Sequence, residues 1–196
     1  MEIAPHELTG YELYLTLGRV VTPRPVGWIA TRSEDGQDNI APYSFVSPIA
    51  VDPPVLVFQA APHEDGTMKD TARNVIDTGA FVYNVVTRDL VDEMNESARH
   101  VDESEFDLAD IEREPATTVD APRVADTPAA FECGLREIVD IEGTKVIFGD
   151  VQHVVIDEAY LADGLPNTER LASDVIGHVI DADYTTLDLF EKPQPE

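Results

Sequence analysis

The chain has 196 residues, of which 43% are hydrophobic, and it carries a formal net charge of −26. This composition excludes a disordered acidic tail and indicates one globular domain with a substantial core over residues 1–196. The charge disfavours nucleic acid and anionic membranes as partners, and no apolar run reaches the roughly 18 residues that a membrane span needs.

The first half of the chain predicts a series of short strands and one clear helix. Asp35-Gly36 is a strong hairpin signal, so the strands on either side of the turn at Ser33–Asp38 should pair. Pro42 has no backbone donor, so its segment should lie at an edge, a bulge or a ligand-facing irregularity. The predicted elements are a short helix over Leu8–Leu17, strands over Val26–Thr31, Asn39–Ser47, Val55–Gln59 and Ala80–Val86, and a helix that is capped by Thr67 or Asp70 and runs to Thr78 before Gly79.

The second half predicts a long hairpin and a long surface excursion. The excursion over Asp102–Asp120 holds eight acids and one arginine, and such excursions are often lids or binding loops. The other predicted elements are a helix over Leu90–Arg99, strands over Phe131–Ile141 and Thr144–Ile156 paired about Glu142-Gly143, and a final strand or docking segment over Tyr184–Phe190. Many short strands with few helices predict a mainly β fold, a small β-barrel with helical decorations.

Acidic residues avoid one stretch of this acid-rich chain. Leu13 to Ser33 contains three arginines and no Asp or Glu. The stretch is therefore either buried or directed at a bound anion, since nearby carboxylates would weaken anion binding. At its end, Thr31, Arg32 and Ser33 bring together two hydroxyls and a guanidinium that could hold a phosphate. The alternative is that they are ordinary polar turn residues.

The start of the helix near residue 70 is a second candidate phosphate site. A helix N-terminus offers unpaired amides and the positive end of a dipole. Lys69 and Arg73 add positive charge on one side of it, and Thr71 adds a hydroxyl donor. The alternative is a capped helix with a solvated basic face.

The extended segment Asn39–Phe45 predicts contact with a flat heteroaromatic ring. Pro42 interrupts the pattern of backbone donors, so neighbouring amides and carbonyls could meet the edge of such a ring. Trp28 or Tyr43 could supply apolar contact to its face. The alternative is an edge strand with a kink.

Taken together and in order, these segments resemble the flavin reductase-like, flavoredoxin-type family. Each motif is weak by itself, but the ordered set is specific to that family and covers most of the chain. The matching segments are Arg24-Pro-Val-Gly-Trp-Ile-Ala-Thr31, Asn39-Ile-Ala-Pro-Tyr-Ser-Phe45, Asp52-Pro-Pro54, Lys69-Asp-Thr71 with Asn74, Phe81-Val-Tyr-Asn84, Ala121-Pro-Arg-Val124 and Ala130-Phe-Glu-Cys133.

The resemblance implies a split β-barrel that dimerises and binds FMN non-covalently near the subunit interface. Cofactor-binding residues are carried over by position for the two ends of FMN. They are Thr31, Arg32 and Ser33 at the phosphate and ribityl end, Lys69, Asp70 and Thr71 completing that end, and Asn39, Ile40, Ala41, Pro42, Tyr43 and Ser44 along the isoalloxazine ring, largely through their backbone, with Trp28 near the ring.

The resemblance also implies an FMN-dependent oxidoreductase that passes hydride or electrons from NADH or NADPH to free flavin or another acceptor. No catalytic side chain is predicted, because the tasks of such a protein are to orient two rings, exclude water and tune the flavin. A non-catalytic flavin-binding electron carrier or sensor is the alternative, and a non-flavin barrel with an acidic interaction surface is a more distant one. After Arg170-Leu171 the chain departs from the glycine-rich segment of many relatives, which leaves the substrate open.

Three further expectations concern the environment of the protein. A single cysteine, Cys133, and the lack of signal-peptide regions predict a cytoplasmic protein without a disulfide framework. The acid-rich composition with only three lysines predicts a halophilic source, because such a surface stays hydrated in molar salt. The histidines show no metal-ligand spacing, so no metal site is predicted.

Overall fold

Within residues 2–101 and 103–190, which this computed structural model describes, the chain forms fourteen strands and five α-helices. The strands are β1 (Arg24–Pro25), β2 (Gly27–Arg32), β3 (Asp38–Tyr43), β4 (Val46–Val51), β5 (Pro54–Ala60), β6 (Ala80–Val85), β7 (Arg113–Pro115), β8 (Pro122–Val124), β9 (Ala129–Ile141), β10 (Thr144–Ile156), β11 (Leu161–Ala162), β12 (Leu165–Pro166), β13 (Gly177–Ile180) and β14 (Asp183–Thr185). The helices are α1 (Gly10–Val20), α2 (Asp70–Thr78), α3 (Val91–Glu96), α4 (Glu105–Leu108) and α5 (Thr168–Asp174).

The main element is a seven-stranded antiparallel sheet in the order β3-β2-β6-β9-β10-β5-β4. Its two end strands, β3 and β4, are consecutive in the chain and are joined only by Ser44 and Phe45. The carbonyl of Phe45 accepts from the amide of Gln59 at 3.0 Å, and β3 also packs on β5. The sheet therefore curls towards itself, and the predicted mainly β, split-barrel fold is confirmed.

The break at Ser44 and Phe45 corrects one prediction. The segment Asn39–Ser47 was predicted to be a single extended element, but its residues belong to strands at opposite ends of the sheet. The prediction for Pro42 is confirmed, because Pro42 lies in the end strand β3, where a missing donor costs no ladder bond.

Strand β2 is buried on both faces, and its side chains alternate between two halves of the core. Trp28 and Ala30 pack into one half, which includes Met94 and Phe106. Ile29 packs into the other half, which also includes Val75 of α2. The site described below lies around the end of this strand, so its backbone is held by residues of both halves of the core.

The helix starts and lengths differ from those predicted. Helix α2 begins at Asp70 with Lys69 in the N-cap position and no side-chain cap, so neither predicted cap is correct. Thr67 instead donates its amide and hydroxyl to Asp65 at 2.9 and 2.6 Å. Gly79 ends α2 with a φ of 72°, as predicted from its tolerance of the left-handed region. The helix predicted over Leu90–Arg99 is shorter, because α3 covers only Val91–Glu96.

The second half of the chain contains the predicted hairpin and a structured excursion. Strands β9 and β10 pair along their length about Glu142-Gly143, which confirms that prediction. In the stretch Asp102–Asp120, of which Asp102 lies outside the described residues, the chain forms α4 and then β7, which pairs with β8. The predicted final segment Tyr184–Phe190 contributes only the short strand β14, which pairs with β13. Of the helices described, none has the length and apolar character needed to cross a bilayer.

Candidate functional site

Four buried polar side chains join the end of β2, the start of β3 and helix α2. We call Thr31, Asn39, Thr71 and Asn74 the threonine–asparagine cluster, and each is at most 7% exposed. The side-chain amide of Asn39 donates to the hydroxyl oxygens of Thr31 and Thr71 at 3.1 and 3.0 Å. The amide of Asn74 donates to the hydroxyl of Thr31 at 3.0 Å. Three segments that the sequence analysis treated as separate motifs therefore meet at one place.

The cluster holds the start of helix α2 in place. Thr31 is completely buried, and its hydroxyl oxygen already accepts two amide donors. Its side chain is therefore tied into the cluster, and the direct contact with FMN predicted for it stays a prediction. Because buried hydrogen bonds are costly to break, the cluster fixes the first turn of α2 against the end of β2.

The first turn of α2 carries groups suited to an anion. No side chain caps the helix at Lys69, so its first amides have no side-chain partner. The Lys69 side chain is half-buried, with its Nζ 5.7 Å from the centre of the Tyr43 ring. Among residues 2–101 and 103–190, no carboxylate forms an ion pair with Lys69, whereas Arg73 is paired with Asp70 at 2.7 Å. Lys69 therefore supplies the unpaired positive charge at this helix start.

Tyr43 has a buried hydroxyl beside this helix start. The ring packs on Phe58 with centroids 5.2 Å apart, and only 7% of the residue is exposed. Its hydroxyl forms no hydrogen bond of acceptable geometry with any described residue. Burial raises the pKa of Tyr43 far above its ordinary value, and an interaction with the nearby Thr71 hydroxyl only partly opposes this, so the phenol stays neutral and is a donor without a well-formed hydrogen bond. An orphaned buried donor of this kind is the type of group that a bound ligand satisfies.

The outer edge of β3 is partly covered by a buried carboxylate. The amide of Ile40 points away from β2 and donates to Oε2 of Glu105 at 3.4 Å. Ile40 is completely buried, whereas Ala41, Pro42 and Ser44 remain partly exposed. The predicted edge of free amides is therefore reduced at Ile40, and Pro42, two residues further along the strand, has no amide to offer.

Arg32 is held by acids. Its Nε and Nη1 bind Asp38 and Asp120 at 2.8 and 2.5 Å, and the other oxygen of Asp38 binds Arg113 at 3.1 Å. The expectation that an acid-poor stretch keeps carboxylates away from Arg32 is wrong, because the partners come from elsewhere in the fold. Successive side chains of a strand also point to opposite faces, so Arg32 does not share the face on which Thr31 meets α2.

Two further predicted residues have structural partners. Trp28 is completely buried, packs in the core and donates Nε1 to Ser97 Oγ at 2.8 Å. Its indole is not available to a ligand on the surface, so the predicted ring contact is not supported. The hydroxyl of Ser33 accepts from the amide of Gln37 at 3.0 Å, and the Ser33 amide donates to the Gln37 carbonyl at 2.9 Å. Ser33 therefore stabilises the turn between β2 and β3.

A family model described as a flavin reductase like domain matches residues 17–168. The chain belongs to the flavin reductase-like family. An uncharacterized protein from Aquifex aeolicus is 35% identical over 167 residues, which are 84% of this chain and 85% of the relative. The structure of nitrilotriacetate monooxygenase component B from Bacillus cereus is similar with a TM-score of 0.91 and 27% identity, covering 98% of each chain. That of a 2-nitrobenzoate 2-nitroreductase from Pseudomonas fluorescens has a TM-score of 0.89 and 27% identity, covering 100% of this chain and 96% of that one.

The residues around α2 fit the FMN that the sequence resemblance implies. A phosphate needs donors and positive charge, and the uncapped amides with unpaired Lys69 provide them, next to an Asp70 that is paired with Arg73. The orphaned hydroxyl of Tyr43 is a further buried donor near the same helix start. Ala41, Pro42 and Ser44, which are partly exposed, supply an edge for a flat ring.

Sequence reasoning did not assign two residues that the structure brings into this region. Asn74 follows Thr71 by three residues and therefore lies on the same helix face, a spacing that could have identified it. Glu105 reaches Ile40 from a distance of 65 residues along the chain, and no local pattern separates it from the other acids of its excursion.

Proposed function

We propose that the protein is an FMN-binding oxidoreductase that passes hydride or electrons from NADH or NADPH to free flavin or another small acceptor. The proposal is supported by membership of the flavin reductase-like family and by the reductase and monooxygenase-component neighbours. The observation that carries it is the uncapped start of α2, fixed by the threonine–asparagine cluster and bearing an unpaired lysine.

Each group in the site has a distinct task in this proposal. Lys69 and the first amides of α2 bind the phosphate, and the threonine–asparagine cluster holds them in place. The backbone of Ala41–Ser44 orients the ring, while Glu105 fixes the neighbouring amide of Ile40. FMN, when bound, supplies the transfer of hydride and electrons between NAD(P)H and the acceptor. The protein contributes orientation and exclusion of water, and no side chain is required to act as an acid or a base.

The absorption spectrum of the purified protein tests this function. We expect the protein to retain or take up FMN and its blue absorbance to bleach when NADH or NADPH is added without oxygen. Bound FMN that neither nucleotide reduces would favour the alternative of an electron carrier or sensor served by a partner reductase. A colourless protein that takes up no added FMN would contradict both functions. Protein without added nucleotide, kept under the same conditions, is the control for spontaneous bleaching.

We also propose that the protein is a homodimer, as its family resemblance implies. Strand β4 exposes Ile49 by 52% and Val51 by 90%, next to an apolar groove of about 440 Å³ between β4, β5 and β10. A contiguous apolar surface of this kind is typical of an interface between proteins, and a second copy would cover it.

Light scattering on the purified protein checks the dimer. We expect the mass of two chains for the wild type and of one chain for Val51→Glu, because a buried unpaired charge is costly in an interface. Leu165→Glu, at an exposed apolar residue in the separate β11–β12 hairpin, is the control and should remain dimeric. A monomeric wild type would rule the dimer out.

A further inference from the structure

Glu105 is a buried acid that lies outside the predicted set of cofactor-binding residues. It is 7% exposed, and its carboxylate accepts the outward amide of Ile40 on the edge strand β3. Acids are rarely buried without a partner, and the amide of Ile40 donates to the Glu105 side chain across 65 residues of sequence. The buried carboxylate therefore contacts the edge strand β3, along which the flavin ring is proposed to lie.

The charged and titratable groups around Glu105 come from three other segments. Asp70 at the start of α2 and the phenol of Tyr43 on β3 lie close enough to interact with it electrostatically, as does His100 in the segment before α4. Asp70 and Glu105 place two acids near the end of α2 where the phosphate is proposed to bind. The only cation of that helix start that no acid pairs within the described residues is Lys69.

Burial of Glu105 makes its charge sensitive to further anions. Burial raises the pKa of Glu105 above its ordinary value of 4.5, and hydrogen bonds from the amides of Glu105 itself and of Ile40 oppose the shift; Asp70 raises the pKa further, and His100 lowers it. An anion bound at the start of α2 acts in the same direction as Asp70, since a nearby like charge disfavours the charged form of a carboxyl group.

We propose that Glu105 is a positioning residue for the FMN site, which holds the Ile40 edge of β3 and links phosphate binding to uptake of one proton. The inference rests on the proposed FMN function. A bound phosphate shifts Glu105 towards its neutral, protonated form; the proton comes from solvent, and no other bond is made or broken. By the sign of this linkage, FMN affinity falls as the pH rises through the pKa of Glu105.

The test compares FMN and riboflavin, because only FMN carries the phosphate. Dissociation constants are measured from the quenching of flavin fluorescence, at constant ionic strength between about pH 5 and about pH 8, a range above the ordinary carboxyl pKa. The variants are Glu105→Gln, which keeps an acceptor for the Ile40 amide but has no charge, and Glu105→Ala, which has neither. Glu103→Gln removes an exposed acid two residues earlier and is the matched control.

Glu105→Gln should bind FMN about five-fold more tightly than the wild type near pH 8, because the substitution removes a like charge close to the proposed phosphate. The difference should shrink towards pH 5, and riboflavin affinity should be unchanged. The phosphate itself titrates in this range, but it does so in both proteins, so the ratio of the wild-type and Glu105→Gln dissociation constants reports the effect of Glu105. Glu105→Ala should weaken the binding of both flavins, because the edge of β3 loses its support.

The inference is overturned if Glu105→Gln and Glu103→Gln change FMN affinity equally at every pH. It is also overturned if Glu105→Gln changes riboflavin affinity as much as FMN affinity, because the effect would then not pass through the phosphate. Both results presuppose that the wild type binds FMN. A wild type that binds neither flavin would instead refute the proposed function, so the two failures are distinguishable.

Discussion

Replacing Lys69 with alanine should lower FMN affinity by about 10- to 100-fold, with little effect on riboflavin. Lys69 is the cation at the start of α2 that no described carboxylate neutralises. A hydrogen bond to a charged group contributes about 1.5–3 kcal/mol, and about 1.4 kcal/mol corresponds to a tenfold change in affinity. Fluorescence titration with each flavin, at one fixed KCl concentration, measures both effects.

Two other substitutions sharpen this experiment. Arg32→Ala should reduce FMN affinity less than Lys69→Ala, because Asp38 and Asp120 already neutralise that guanidinium. Lys145→Ala removes a lysine that is paired with Asp140 near the tip of the β9–β10 hairpin, and it should leave both affinities unchanged. Equal FMN affinity in the wild type and Lys69→Ala would show that the phosphate does not bind at the start of α2.

The difference between Lys69 and Arg32 shows what local sequence can predict about this site. The order of the motifs was enough to select Thr31, Asn39 and Thr71, which the fold joins by side-chain hydrogen bonds. The order of the motifs could not reveal that the Arg32 guanidinium forms an ion pair with Asp120, which lies 88 residues away in the chain. Counting Asp and Glu within a stretch of sequence detects only acids that are near in the chain, whereas the strength of an electrostatic interaction depends on distance in space.

The fold follows the same division between local and distant interactions. The hairpins about Asp35-Gly36 and Glu142-Gly143 were predicted, because turn chemistry acts over a few residues. The division of Asn39–Ser47 between β3 and β4 was not, since it depends on which distant strand each half meets. Trp28 illustrates the same limit, because an aromatic residue in a strand suits a ligand pocket and a core equally well until its partner, Ser97, is known.

The acidic excursion is tied to the barrel by a residue that sequence reasoning also left unassigned. Glu132 on β9 is completely buried, and its two carboxylate oxygens accept the amides of Thr117 and Thr118 at 2.8 and 2.6 Å. The hydroxyl of Thr118 donates a third bond at 2.6 Å. These bonds hold the turn between β7 and β8, which also carries the Asp120 that pairs with Arg32.

Glu132→Ala should therefore lower the free energy of unfolding by about 2–4 kcal/mol, since it leaves two amides and a hydroxyl without their acceptor. Burial by itself raises the pKa of Glu132, but the hydrogen bonds from Thr118 and Thr117 outweigh it and hold the pKa below its ordinary value of 4.5. A depressed carboxyl pKa contributes stability that is present above the unfolded value and is lost as the pH falls through the folded one.

Urea unfolding of the wild type and Glu132→Gln, measured near neutral pH and again at acidic pH, separates the charge from the packing. The glutamine variant fills the same space and has no charge. Its single carbonyl oxygen can accept the hydrogen bonds made to one of the two carboxylate oxygens of Glu132, but not those made to the other. It should be less stable than the wild type near neutral pH, and the gap should narrow as the wild-type carboxylate becomes protonated below about pH 4, near the ordinary carboxyl pKa. Glu137→Gln, on the exposed part of the same strand, should match the wild type at both pH values. A gap of constant size across the acid range would mean that Glu132 holds the turn through its shape alone and that its charge contributes nothing.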